Sequence, residues 1–440
     1  MHPNLSFEQA PPISVPFRFF LTAPLFGILA GFLLAWLGPD ALASRWTPGA
    51  LALTHLLTAG FMLQAMCGAL LQFVPVISGG NVWRPRLVAG VLHPLSVIAT
   101  LLLASGFALQ QPLLLLFAAP LFAVAVGGFL CVVGLTLWRT PALGPAIRLV
   151  RFALFGLAVT LLLGILLAAV LGGHGNWIAG WSMLRLVDAH VAWGLGGWAL
   201  MLVLGVSSQV VPMFQMTPPY PALLMLWWPR AMLLTLGLLL LQPFVVDSVF
   251  EIYFDAMELC AVLLAALYAT VTLWLQAQRR RRLFDTNFVF WRGAMLALLG
   301  FAVSWLAMLA LPALGEEPSA PLWLGILVFA GVFVALINGM LYKIVPFLNW
   351  LHLQQLVGLK TLPPNIKQMI PEPALRGQLI AHFIALVLLL AAVIWPPLTR
   401  LAGLAFTASC LWLEWNLVGA VRLYVDFKGR TRADGRHRES

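Results

Sequence analysis

Twelve runs of mostly apolar residues, each near the length of a bilayer crossing, dominate this sequence. A membrane-spanning helix needs about 20 such residues. Composition agrees, since 62% of the 440 residues are hydrophobic and only 9% are charged, against about 25% charged in soluble domains. We therefore predict an all-α polytopic membrane protein and exclude a soluble enzyme, a disordered chain and a coiled coil. Breaks at proline, glycine and charge delimit the helices: 17–38, 50–77, 87–109, 112–138, 149–172, 186–214, 229–246, 252–277, 288–312, 321–346, 377–398 and 401–423.

Lysine and arginine are distributed unevenly between the two ends of these helices. If both termini are cytoplasmic, 22 of the 25 basic residues fall at cytoplasmic ends, and only Arg45, Arg185 and Arg400 fall outside. This bias follows the positive-inside rule and supports an even number of crossings. The net charge of +10 therefore indicates contact with the lipid bilayer and its anionic inner leaflet, not with nucleic acid. We predict a multi-pass protein of a bacterial-type inner (plasma) membrane.

Three polar segments flank or interrupt the helices. Residues 1–16 are predicted to be a cytoplasmic N-terminal segment, and residues 424–440 a basic cytoplasmic tail. Between them, 17–423 forms a single transmembrane domain. Within it, the stretch 347–376 contains several prolines and lysines and is predicted to be a cytoplasmic connection.

Three helices carry the same pattern of two glycines, a polar residue and a proline. The second glycines of the three copies are 137 and 134 residues apart, which predicts three four-helix repeats over about 17–138, 149–277 and 288–423. Glycines on one helix face allow close helix packing, and we expect the proline to end each helix. The three copies are Gly60, Gly68, Gln72 and Pro75; Gly197, Gly205, Gln209 and Pro212; and Gly331, Gly339, Lys343 and Pro346.

Two histidines lie near the outer ends of the second and sixth helices. His55 and His190 are candidate ligands of haem iron or copper, because neutral imidazole binds both. Met62 and Met66 follow His55 at helical spacing and could add thioether ligands for copper. Gly194 and Gly197 follow His190 and would leave a bare surface for a flat cofactor. Packing, with each histidine bonded to a neighbouring carbonyl, remains the alternative.

Other ionisable residues fall inside predicted helices. Asp255, Glu258 and Glu414 are candidates for a proton or ion path, since ionisable groups within a membrane are costly and often functional. Asp255 and Glu258 could instead pair with Arg185 or Arg400. His93 and His382 lie near the inner ends of the third and eleventh helices, and the sequence leaves open whether they form a second site.

The segment Thr54–Pro75, THLLTAGFMLQAMCGALLQFVP, together with the three-by-four helix plan, resembles subunit I of the haem–copper oxidases and the related NnrS-type haem and copper membrane proteins. The resemblance implies that His55 holds a haem and that His190 matches a sixth-helix histidine. It also implies a histidine on the tenth helix, a Tyr or His at position 194 and a His-His pair within 222–246. This chain has none of these, so a complete oxygen reductase is not expected.

These observations leave three functional hypotheses. The first is a haem- or copper-binding protein with a role in redox chemistry or nitric-oxide stress, partnered by an electron donor or other membrane subunits. The second is a transporter or channel built from the threefold bundle. The third is a cofactor-free membrane scaffold or assembly partner. Whether the chain is an enzyme is left open.

Overall fold

The structure is a computed structural model that describes residues 6–140, 144–175, 180–245, 250–280, 285–357 and 363–437. Over these residues it contains helices and no strands. Twelve helices are long and apolar enough to cross a membrane, as predicted. We number them α1 Ser14–Leu42, α2 Pro48–Ser78, α3 Pro85–Ala108, α4 Pro112–Arg139, α5 Pro145–His174, α6 Met183–Gln215, α7 Ala222–Phe244, α8 Glu251–Ala277, α9 Thr286–Ala310, α10 Ala320–Leu356, α11 Glu372–Ile394 and α12 Pro396–Arg430.

Proline marks the start of many of these helices. Pro48, Pro85, Pro112 and Pro145 each occupy a first helical position, where the missing N–H costs nothing. At α2 the hydroxyl of Thr47 also accepts a hydrogen bond from the N–H of Ala50 at 3.1 Å. Lipid cannot hydrogen-bond the N–H and C=O groups of the backbone, whereas a helix pairs these groups with one another. Apolar runs of this length therefore form helices in a bilayer.

Several predicted boundaries are wrong by one or more turns. The helix of α10 continues to Val357, beyond its predicted end at residue 346, so residues 347–357 of the predicted connection are helical. The last helix continues to His437 through most of the predicted tail. Helix α7 begins at Ala222, seven residues before the predicted start, so that Pro229 lies inside it. In each case the predicted helix end was placed at polar residues or prolines. A helix continues through such residues when its other backbone groups are hydrogen-bonded.

The chain divides into two compact units. The first comprises residues 1–11, 69–283 and 295–317, and the second comprises 12–68, 284–294 and 318–440. In the first unit, α3 packs against α4 and α5 packs against α6. In the second unit, α12 packs against both α1 and α11. Gly31 and Gly403 let α1 and α12 approach closely, since a Cβ on Gly31 would lie 2.8 Å from the carbonyl oxygen of Gly403.

The three helices that carry the glycine pattern are the most buried of the twelve. In their most apolar stretches, 78% of the residues of α2, 56% of α6 and 67% of α10 are buried, against at most 50% in any other span. These helices are therefore interior elements, while the others expose more of their surface to lipid.

Candidate functional site

Each of the three glycine-pattern helices contains a π-helical segment. The segments are Leu56–Met62 in α2, Trp193–Leu200 in α6 and Leu327–Val334 in α10. The first glycine of each pattern is the fifth residue of its segment: Gly60, Gly197 and Gly331. A π turn is wider than an α turn, is rare, and is frequently found at functional sites. A further π segment, Val170–His174, ends α5, which lacks the glycine pattern. The recurrence of the other three at one position of the pattern directs attention to the residues beside it.

The second glycine of each pattern packs against the preceding helix in all three copies. A Cβ on Gly68 would lie 2.8 Å from Cβ of Phe19 on α1, and one on Gly205 would lie 3.0 Å from Cβ of Leu149 on α5. Gly339 has the same relation to Phe290 on α9, at 2.8 Å. Only glycine fits such approaches without displacing the neighbouring helix.

The first glycine makes a matching contact in two copies. Gly60 lies against the ring of Phe26 on α1, and Gly197 lies against Gly156 on α5. Eight residues of α-helix at about 100° each would turn the second glycine away from the first. Both glycines nevertheless contact the same neighbouring helix, which is α1 in the first copy and α5 in the second.

The polar and proline positions of the pattern behave differently from the expectation. Pro75, Pro212 and Pro346 lie inside their helices, which continue to Ser78, Gln215 and Val357, so the prediction that proline ends each helix is wrong.

Gln72 and Gln209 are half-buried. Lys343 is also half-buried, and its Nζ lies 2.7 Å from Oδ2 of Asp285. This ion pair, just before α9, explains why a lysine replaces glutamine in the third copy.

His55 lies directly before the π segment of α2 and is half-buried. Its Nδ1 is 2.7 Å from the carbonyl oxygen of Leu51. A carbonyl oxygen only accepts, so Nδ1 carries the proton and the lone pair of the neutral ring is on Nε2. A backbone carbonyl that orients a ring in this way is the usual support of a metal-ligating histidine.

Met62 and Met66 are predicted to lie on the face of His55, but that expectation assumes an α-helix. The π segment lies between His55 and Met62, so i+7 and i+11 spacings no longer return to the same face. Both methionines are buried, with exposures of 3% and 5%. Their thioethers behave as core-filling groups.

His190 lies three residues before the π segment of α6. Its ring packs against α5, where a Cβ on Gly164 would lie 3.1 Å from Cε1 of the imidazole. Gly194 and Gly197 do not leave a bare surface, because Thr160 and Gly156 of the same helix cover them. The face predicted for a flat cofactor is therefore occupied by helix packing.

The candidate ligands are divided between the two units. His55, Met62 and Met66 belong to the second unit, whereas His190 belongs to the first. His382 lies in the second unit and His93 in the first. Among the described residues, no group of three or more His, Cys, Asp or Glu side chains is arranged to hold a metal ion.

The acidic residues of the predicted path have different environments. Asp255 is exposed and Glu258 half-buried on α8 of the first unit, while Glu414 is half-buried on α12 of the second. Oε2 of Glu414 is buried, and none of the residues that the structure describes donates a hydrogen bond to it.

The two arginines considered as partners of Asp255 and Glu258 have other contacts. Arg185 pairs with Glu251 at 2.8 Å and also donates to the carbonyl of Val245. Arg400 donates to the carbonyls of Ala35 and Trp36 at the end of α1. Both guanidinium groups therefore stabilise helix ends.

Polar residues that the sequence did not single out are buried in the second unit. Asn338 directly precedes a glycine of the repeat pattern, and Gln378 precedes His382 by one helical turn. The only sequence signal for these residues was an amide side chain within an apolar run. Such an amide occurs both in binding sites and in hydrogen bonds between helices, so it does not identify a site by itself.

No protein-family model matches the chain, and no curated protein matches it.

Proposed function

We propose that this chain is a multi-pass protein of a bacterial-type inner membrane that binds haem through His55, in an architecture like that of haem–copper oxidase subunit I. The observation that carries the proposal is the hydrogen bond from Nδ1 of His55 to Leu51, at the start of a buried helix with a π turn. It orients the imidazole with its lone pair on Nε2, the form that binds iron. A role in electron transfer or nitric-oxide stress is proposed, not complete oxygen reduction.

The residues present fit haem better than copper. A haem iron can be held by one protein imidazole, and His55 supplies one. Copper sites usually combine several ligands. Met62 and Met66 were expected on the helix face of His55 only if α2 were α-helical throughout, and the π turn excludes that. His190 is assigned to packing against Gly164 in this proposal.

The residues of the chain would contribute orientation and exclusion of water. The carbonyl of Leu51 fixes the rotation of the His55 ring. Leu56 and Phe61, which follow His55 on α2, are buried and apolar, so this part of the helix is packed inside the protein. A bound haem supplies one-electron redox chemistry.

The test is an absorption spectrum of the full-length protein, purified from membranes of cells supplied with iron and copper, together with metal analysis. We expect a Soret band that His55→Ala abolishes and His174→Ala retains, since His174 is exposed at the last position of α5. Size-exclusion profiles establish that the variants are folded. Wild-type protein without a Soret band would overturn the proposal, as would a band that survives in His55→Ala and disappears in His190→Ala.

A second candidate is proton-coupled transport through Glu414. It is favoured by the buried carboxylate oxygen that has no hydrogen bond inside an apolar helix. In proteoliposomes with a pH-sensitive dye inside, we expect flux that Glu414→Gln abolishes. Glu317→Gln, in an exposed loop, is the matched control and should retain flux. Equal flux in both variants would exclude this role for Glu414.

A further inference from the structure

The hydroxyl of Tyr424 connects the last turns of α10 and α12 within the second unit. Tyr424 lies on α12 and is exposed by only 6%, and its hydroxyl oxygen lies 2.7 Å from Nδ1 of His352 on α10. The two rings also pack, with centroids 5.6 Å apart. One turn later on α12, Nζ of Lys428 lies 3.4 Å from the same oxygen and 5.6 Å from the centre of the phenol ring. We call His352, Tyr424 and Lys428 the α10–α12 triad.

The hydrogen bonds of the triad determine where its protons lie. An ammonium group only donates, so the oxygen of Tyr424 accepts from Lys428. The phenol proton needs an acceptor, and among the residues that the structure describes Nδ1 of His352 is the one within hydrogen-bonding distance. Nδ1 therefore carries no proton, and the ring of His352 is neutral with its proton on Nε2.

The surroundings of His352 favour this neutral form. Lys428 contacts the same hydroxyl as His352, so its ammonium group lies close to the imidazole. Among the described residues, no carboxylate pairs with either side chain. Besides α12, the short helix Ile366–Met369 packs against α10. The other charged side chains of these two elements near the triad are exposed: Arg422, Asp426 and Arg430 on α12, and Lys367 on the short helix.

Protonation of His352 removes the acceptor on which this arrangement depends. The imidazolium ring has an N–H at both nitrogens, so Nδ1 no longer accepts the phenol proton. Protonation also places a second positive charge beside Lys428, and the two charges repel. The contact is therefore present at high pH and is lost as the pH falls through the titration range of histidine, between about pH 8 and 5.

We propose that the α10–α12 triad is a pH-sensitive latch, in which neutral His352 holds the last turns of α12 against α10 and protonated His352 releases them. The latch couples the position of the C-terminal helix to the pH on its side of the membrane. It uses neither His55 nor Glu414, so it can fail independently of both proposed functions.

Two hydrogen bonds deeper in the same helix pair limit the extent of the release. Asn349 on α10 donates to the carbonyl of Ala420 at 3.0 Å. Asn416 on α12 donates to the hydroxyl of Tyr342 at 2.9 Å. Amides and backbone carbonyls do not titrate, and a phenol titrates only near pH 10. These bonds therefore persist when His352 is protonated, and the released segment begins after Ala420.

Distances between two spin labels on the full-length protein in lipid nanodiscs test the latch. Gln355→Cys on α10 and Gly429→Cys on α12 place the labels at exposed positions of the two helices. Wild-type protein treated with the same label gives the background from the native cysteines. We expect one narrow distance distribution at about pH 8 and a longer, broader one at about pH 5, values that bracket the titration of histidine. Identical distributions at the two pH values would overturn the proposal.

Substitutions in the doubly labelled protein assign the response to the triad. His352→Gln stays neutral, so its distribution should not change with pH, whereas the matched control His174→Gln should retain the full shift. A shift that persists in His352→Gln would overturn the proposal, because another group would then be responsible. Tyr424→Phe lacks the bonded hydroxyl, and we expect its distribution at about pH 8 to broaden toward that of wild type at about pH 5. A distribution as narrow as that of wild type would show that the hydroxyl does not hold α12, which would also contradict the latch.

Discussion

Gly156 of α5 meets the backbone of α6 at Gly197 and Trp198. Backbone atoms cannot move aside as a flexible side chain can, so the absence of a Cβ decides how closely the two helices approach. Other glycines in similar apolar helices have open space around them, as Gly134 of α4 does. Whether a membrane glycine matters therefore depends on the atom opposite it, and the residue type alone does not reveal this.

This difference predicts opposite outcomes for two identical substitutions. Gly156→Ala should destabilise the protein by about 1–3 kcal/mol, the usual cost of overpacking. Gly134→Ala should be neutral or slightly stabilising, because alanine has the higher helix propensity. Thermal unfolding in detergent measures both, and equal midpoints for the two variants would refute the close contact.

At the scale of the element, the π segments of α2, α6 and α10 connect the sequence pattern to helix packing. Each segment contains the first of two glycines spaced eight apart, and in α2 and α6 both glycines face the preceding helix. In α2, this face meets α1 at Phe26 and at Phe19. The π turn is thus part of the packing geometry, and beside His55 it is also part of the proposed site.

Single-residue deletions in α2 should distinguish the π segment from the α-helix that follows. Deleting Ala59 inside the segment should convert it to an α-helix and leave the flanking faces in register. Deleting Ala65 should rotate Gly68 by about 100° away from Phe19. We expect monodisperse protein in size-exclusion chromatography for the first deletion and aggregation for the second, and we expect the first to lose any Soret band. Similar aggregation of both would contradict this interpretation.

At the scale of the whole molecule, the even number of candidate spans predicts that both termini lie on the same side of the membrane. Twelve crossings return the chain to the side on which it began, and the distribution of basic residues predicts that this side is the cytoplasm. The four cysteines Cys67, Cys131, Cys260 and Cys410 all lie within spans. The wild-type chain therefore provides a low background for labelling with a membrane-impermeant reagent.

Impermeant maleimide labelling of intact cells tests this topology. Gly175→Cys, after α5, should be labelled in intact cells. Ser6→Cys and Gly429→Cys should be labelled only after lysis. Labelling of either terminal cysteine in intact cells would show that the number of crossings or the orientation is wrong.

The number of helices and their membrane character were predictable from sequence alone. Both follow from the length of apolar runs, a local property that lipid turns directly into helix. The glycine pattern was also visible, and its contacts with the preceding helix agree with the predicted repeat. Boundaries failed at Pro346 and before Arg230, because a proline or a charge does not end a helix that neighbouring helices support.

The details of the candidate site required the tertiary structure. The π turns depend on hydrogen bonds five residues apart, and they separate Met62 and Met66 from the face of His55. Lys343 has Asp285 as its partner, and α5 covers the glycines beside His190. The buried atoms of Asn338 and His382 likewise become visible only when α9 to α12 are packed. Apolar periodicity determines which residues form helices, but the atoms opposite each side chain come from distant parts of the chain.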